Sequence, residues 1–182
     1  MIYVFLANGF EEVEAITPID LLRRCELDVT TVGVGGAIIK GSHGIPVFAD
    51  IEENELKDFS DVDMIVLPGG MPGTLNLEAS AKVQEAIDYC VKNNIKIAAI
   101  CAAPSILGHK GLLNGKNAVC AEGFEEQLVG ANVWQDGVCL DGNFITARGA
   151  GVSIEFGLKL VEILISKERS SILGASIRCS KK

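Results

Sequence analysis

The sequence predicts an α/β three-layer sandwich: a mostly parallel central sheet, helices on both faces and small antiparallel additions. Three observations predict it. Short runs such as Ile2–Ala7 and Met64–Leu67 are apolar on both faces, as strands are when helices cover them twice. These runs alternate with segments of helical spacing, the order of βαβ units. The 20 glycines of an apolar chain supply the tight turns between them.

Taken in order, Ile2–Ala7 is a buried first strand. Thr17 reads as a cap and Pro18 as the first helical position, opening a helix over residues 19–24. Residues 11–16 then form an earlier turn, with Pro18 kinking the join. Residues 29–32 make a second strand, and 37–39 with Pro46–Phe48 an antiparallel pair away from the sheet centre. Met64–Leu67 is a third strand and runs into Pro68-Gly69-Gly70. A helix over 80–93 places Val83, Ala86, Ile87 and Cys90 on one face. Residues 95–100 form a fourth strand ending at Cys101, and 116–119 a short run before a loop. Residues 138–145 read as a hairpin turning at Asp141-Gly142, and 152–165 as a helix with Ile154, Leu158, Val161 and Ile165 on one face.

Composition narrows the function. At about 150 residues per domain, the 182 residues fit a single domain, 1–182. A chain of that size buries about 70% of its unfolded surface and needs no disulfide or metal to hold a core. With 48% apolar and 22% charged residues it is neither disordered nor fibrous. Sixteen basic against 24 acidic residues give a net charge of −8, which argues against nucleic acid and against an anionic membrane surface. The apolar opening is too short for a membrane span and lacks a positive leader, and Glu11 and Glu12 exclude a transit peptide. Six cysteines, at 25, 90, 101, 120, 139 and 179, show no CxxC pair and no zinc-like spacing with the two histidines. A reduced, cytoplasmic chain without metal or cofactor is the expectation.

Chemistry should gather beyond the carboxyl ends of the parallel strands. Three such ends carry Asn8 to Glu14, Gly69 to Gly73, and Cys101-Ala102-Ala103-Pro104. Cys101 lies at a strand-to-helix turn beside small residues, where unpaired N–H groups and a helix dipole favour thiolate. It is either a nucleophile elbow bearing sulfur or a buried strand-end cysteine. Gly69-Gly70 is either a plain turn or, with the Ala102 N–H, a pair of backbone donors. Glu11, Glu12 and Glu14 read, taken alone, as a helix start complementing the dipole. Gly33-Val34-Gly35-Gly36 precedes a strand-like run where a dinucleotide fingerprint needs a helix. His43 falls in a solvated loop, and His109 lies two turns past Cys101, so neither serves the thiol as a base.

Six segments in the same order carry a resemblance. They are residues 9–14, 18–20, 67–70, 99–104, 120–125 and 148–151. Together the chain resembles the ThiJ/PfpI superfamily, in the branch of the Parkinson disease protein deglycase. That resemblance implies a flavodoxin-like sandwich, usually a homodimer, with an oxidation-sensitive Cys101. It also implies that Glu14, largely protonated, reaches the sulfur, and that Gly70 and Ala102 supply the donors. Two positions depart from the pattern. Ala102 stands where the peptidase-like branch has histidine, and Cys120, lining the pocket, stands where animal deglycases place theirs.

The implied activity is cysteine-dependent, cofactor-independent handling of 2-oxoaldehydes or their early glycation adducts, so the partner is a small reactive carbonyl or glycated substrate. A redox sensor or stress chaperone without turnover is the alternative, and a cysteine hydrolase or peptidase the third. No phosphate-binding or thiazole-specific feature supports a thiamine-related role.

Overall fold

A computed structural model describes residues 1–179. The strands are β1 (Ile2–Ala7), β2 (Val29–Val34), β3 (Ile38–Lys40), β4 (Pro46–Phe48), β5 (Ile51–Glu52), β6 (Met64–Leu67), β7 (Lys96–Ile100), β8 (Asn117–Ala118), β9 (Asn132–Val133), β10 (Val138–Asp141) and β11 (Phe144–Ala147). The helices are α1 (Glu12–Arg24), α2 (Gly73–Ala79), α3 (Ala81–Lys92), α4 (Pro104–His109), α5 (Ser153–Leu164) and α6 (Lys167–Ser176).

The central sheet has the order β10-β11-β7-β6-β1-β2-β5. Every neighbouring pair in it is parallel except the β10–β11 hairpin. A second antiparallel pair, β3–β4, stands apart from it, and β8–β9 is a short parallel pair. The expected mostly parallel sheet with small antiparallel additions is therefore what the chain forms.

Alternation along the strands builds two cores. Tyr3, Phe5, Ile65, Leu67, Ile97 and Ala99 face one side and pack with Leu77, Val83, Ile87 and Ile106 of α2, α3 and α4. Ile2, Val4, Leu6, Met64, Val66, Ala98 and Ile100 face the other and meet Ala15, Ile19 and Leu22 of α1, Phe156 and Leu160 of α5, and Leu173 of α6. A sheet apolar on both faces and covered by helices on both is a three-layer sandwich.

Several boundaries differ from the sequence expectation. The first helix does not begin at Thr17-Pro18; it starts at Glu12 and runs through Pro18. Proline removes one intrahelical bond, yet Ala15, Ile19, Leu21 and Leu22 are all buried on this helix, and packing outweighs that loss. The hairpin turns at Gly142-Asn143 rather than Asp141-Gly142, since Asp141 pairs with Phe144. Neither α2 nor α6 was expected. The helix over 80–93 is found as α3, with Ser80 accepting a bond from the Val83 N–H as its cap.

Candidate active site

The direction of sheet growth reverses at β1, whose neighbours are β2 and β6, so a crevice opens between the carboxyl ends of β1 and β6. Two loops lock together there. Glu11 N–H donates to the Gly69 carbonyl at 2.9 Å, and Gly73 N–H to the Gly9 carbonyl at 3.2 Å. Gly70 has φ 89°, and any side chain on it would run into the backbone of Phe10 and Glu11. Loop closure at this point requires glycine.

The next strand, β7, delivers Cys101. Its φ is 65°, a left-handed conformation rare for cysteine. Two bonds hold it so: its N–H donates to the Ala147 carbonyl and its carbonyl accepts from Ala121 N–H, both at 2.8 Å. This is a sharp strand-to-helix turn with an outward sulfur, the geometry of a nucleophile elbow.

Glu14 reaches the same point from α1. Only 1% exposed, it lies beside the Cys101 thiol, close enough for the two groups to shift each other's titration. It accepts a backbone bond from Gly69 at 3.1 Å, with Ala150 bordering it as well. A Cβ on Gly69 would lie 2.6 Å from both the Cys101 Cβ and Glu14 Oε2, so only hydrogen fits between acid and thiol. The N–H groups of Gly70 and Ala102 lie close enough to the sulfur to favour its thiolate. The structure thus gathers Cys101, Glu14, Gly70 and Ala102.

Electrostatics correct one expectation. Position at a turn suggested a lowered thiol pKa. Instead burial, followed by the charge of Glu14, pushes Cys101 up to about 12, with the Gly70 and Ala102 N–H groups pulling the other way. The helix beyond is too short and too late to compensate, as α4 starts at Pro104 and has 6 residues. Burial also pushes Glu14 up to about 7. The two groups titrate as a pair: the carboxyl can hold the thiol's proton near neutrality, and once it does, its charge no longer opposes thiolate.

Cys120 lines a cavity of about 630 Å³ beside this cluster, and burial, then the charge of Glu125, pushes its thiol up to about 11. Glu122, Glu125, Trp134, Asp136 and Arg148 line the same cavity. So do Gly149 and Ala150, the residues that border Glu14. Sequence reasoning missed the part of Ala150, although the segment 148–151 had signalled it, and no signal pointed to Trp134 or Asp136.

Glu11 and Glu12 do not reach the sulfur, nor does Glu12 act as a mere helix-start charge. It is buried and accepts from His43 N–H at 2.9 Å, Ser42 Oγ at 3.2 Å and Ile45 N–H at 3.4 Å, clamping the β3–β4 turn to α1. Burial opposes its ionisation, but these bonds and His43 win and hold its carboxyl at about 2. Glu11, Glu12 and His43 form the one group of candidate metal ligands among the described residues. His43 is exposed yet tied to Glu12 at 3.1 Å, and His109 is bound to Glu78 at 2.6 Å, away from the thiol.

Fold and site together define a class: α/β sandwiches that present a cysteine on an elbow at the end of a parallel strand. The DJ-1/PfpI family model matches residues 1–163, and the chain belongs to that family. It is 37% identical over 169 residues to protein dj-1beta of Drosophila melanogaster, covering 91% of this chain and 90% of that one. It is 30% identical over 165 residues to a protein of Caenorhabditis elegans named a glutathione-independent glyoxalase, covering 90% and 87%. Among solved structures, an oxidized DJ-1 of Toxoplasma gondii superposes with a TM-score of 0.92 at 34% identity, covering 97% of this chain and 96% of that one. The fold is flavodoxin-like, as the resemblance implied.

Proposed function

We propose that the protein is a cofactor-independent glyoxalase-type enzyme that converts 2-oxoaldehydes, or their early adducts on amines and thiols, to 2-hydroxy acids through Cys101. The observation that carries this is a single one: an almost fully buried carboxyl, Glu14, set beside a half-buried thiol across Gly69 and poised near neutral pH.

The steps follow from that pair. Glu14 takes the thiol proton and the sulfur attacks the aldehyde carbon, forming a hemithioacetal. The Gly70 and Ala102 N–H groups hold the negative charge as it passes from sulfur to oxygen. Glu14 gives the thiol proton to the hemithioacetal oxygen. As a carboxylate again, it carries the proton lost from the former aldehyde carbon to the neighbouring ketone carbon, while the hydroxyl proton passes to the ketone oxygen. The first carbon is oxidised and the second reduced, so no external electron acceptor is needed. Water cleaves the resulting thioester, releasing the hydroxy acid and the free thiol. Cys120 takes no part as a base, because its thiol stays protonated near neutrality. Glu14 therefore does alone what a carboxyl and a histidine would share.

Purified protein given methylglyoxal without glutathione or added metal should produce lactate, read by enzymatic lactate detection. No lactate, with Cys101 still reacting rapidly with iodoacetamide, would instead favour the redox sensor. The name of the nematode relative supports the enzymatic reading, and the oxidized form of the Toxoplasma relative is what keeps the sensor as the second. The peptidase reading loses support, since no histidine is bonded to the thiol.

A homodimer belongs to the same proposal. Val13 and Ile16 on α1 and Ile154 on α5 are 48%, 43% and 44% exposed, an apolar stretch that a second copy would cover. Light scattering should give about twice 19.3 kDa, and a monomer at micromolar concentration would refute it. Among the described residues no helix is long and apolar enough to cross a membrane. Six unpaired cysteines fit a reducing compartment such as the cytoplasm.

A further inference from the structure

The cavity next to the thiol is large and unevenly charged. Its volume of about 630 Å³ falls in the range of pockets that hold drug-sized ligands, well beyond what a three-carbon aldehyde fills. Its walls carry three carboxylates, Glu122, Glu125 and Asp136, against one cation, Arg148. The indole of Trp134, 47% exposed, adds a ring face that attracts cations and apolar groups. The cavity adjoins the chemistry through two walls. Gly149 and Ala150 border Glu14, and Cys120 precedes Ala121, whose N–H holds the Cys101 carbonyl.

Three negative charges against one positive charge inside a concave, partly enclosed space focus a negative potential within the cavity, whose wall at Gly149 and Ala150 borders Glu14. We infer that Glu122, Glu125 and Asp136 make this site charge-selective, admitting neutral and cationic carbonyl compounds to Cys101 and turning anionic ones away. The inference rests on the reading of Cys101 as the nucleophile. Its consequence for substrate class is definite: carbonyls carried on an ammonium or guanidinium group are accepted, and aldehydes bearing a carboxylate are not. The same field drives an anionic hydroxy acid product out of the cavity once it is released.

Alkylation separates this inference from the proposed reaction, because it needs no turnover. Iodoacetamide and iodoacetate both form a carbon–sulfur bond at the thiolate and expel iodide, and differ chiefly in one negative charge. The rate ratio of the neutral to the anionic reagent is read at Cys101 by peptide mass spectrometry, at low ionic strength, beside a neutral cysteine amide in free solution. The ratio should be at least ~10-fold larger in the protein than in the free amide. It should fall at least ~3-fold in Glu122→Gln/Glu125→Gln/Asp136→Asn and on raising salt to about 0.5 M, where the Debye length shortens to a few ångströms. Arg148→Gln should move it the opposite way.

An unchanged ratio in the triple variant, or a ratio equal to that of the free amide in wild type, overturns the inference. Should the triple variant fail to fold, Asp136→Asn alone, at an exposed position, must still lower the ratio, and no change there is likewise fatal. In turnover, phenylglyoxal should be preferred over its para-carboxylate analogue by a similar margin. Charge selectivity without hydroxy acid formation from either compound would refute the glyoxalase reading and leave the charge filter standing. Turnover of both compounds at equal rates would do the reverse.

Discussion

Cys101→Ala should lower hydroxy acid formation from methylglyoxal by at least ~10³-fold, to the rate of buffer alone. Loss of a covalent nucleophile is not made good by the remaining groups, because neither Gly70 N–H, Ala102 N–H nor Glu14 can form the hemithioacetal. The fold survives the change. Alanine keeps the Cβ, and the backbone bonds from position 101 to Ala147 and Ala121 do not involve the side chain. Circular dichroism and the thermal midpoint should therefore match wild type within a few degrees. A variant that keeps more than about a tenth of wild-type turnover would mean the chemistry does not pass through this sulfur.

Glu14→Gln is the second large effect, a loss of ~10²–10⁴-fold, the usual contribution of a group that moves protons in the transition state. Glutamine retains the size of the side chain and a hydrogen bond to Gly69 but cannot exchange a proton with sulfur. The same variant has a signature in stability. Burial holds the Glu14 carboxyl at about 7 rather than 4.5, so the folded chain keeps this proton where the unfolded chain gives it up. Stability from this group is complete below about 4.5 and is lost as pH rises through about 7. Wild type should lose up to about 3 kcal/mol relative to Glu14→Gln across that window. Urea unfolding of both proteins at several pH values reads it directly. Parallel curves, together with a rate change under threefold, would leave Glu14 a structural residue only.

Much of this site was legible in the sequence because its parts sit at strand ends. Runs apolar on both faces, β1, β6 and β7, announce themselves without any partner, and each leads into a short loop whose few residues can be weighed one by one. Cys101, Gly70 and Ala102 stood out in those loops with a functional and a structural reading each, and only the resemblance chose Glu14 over Glu11 and Glu12. The first helix was misplaced because Pro18 looks like a beginning when seen alone. What outweighs its cost mid-helix is packing that the sequence does not show: Ala15, Ile19, Leu21 and Leu22 are buried, and Gly157 of α5 lets the two helices close up against Pro18 and Leu21. The short α2 starts at Gly73 and the polar α6 lacks a clean apolar stripe, so neither had a periodic signal. The thiol's electrostatics were misjudged for a different reason. A turn's dipole can be read from neighbours in sequence, whereas burial and the charge of a carboxyl 87 positions earlier cannot.

The left-handed backbone at position 101 sets two demands on one residue against each other. A non-glycine residue at φ 65° is held there at a cost of about 1–3 kcal/mol, and glycine would remove most of it. Selection for a more stable chain therefore favours glycine at this position, whereas selection for reactivity keeps cysteine. The tightness of the surrounding loops is what lets the chain tolerate the second choice, since bonds from Ala147 and Ala121 fix the conformation whichever residue occupies it. A lineage released from the need for the thiol would be expected to drift at 101 first, with the glycines of the neighbouring loop lasting longer, because the fold itself depends on them. Among relatives, loss of the cysteine on an otherwise intact scaffold would mark a change of occupation, not decay of the protein.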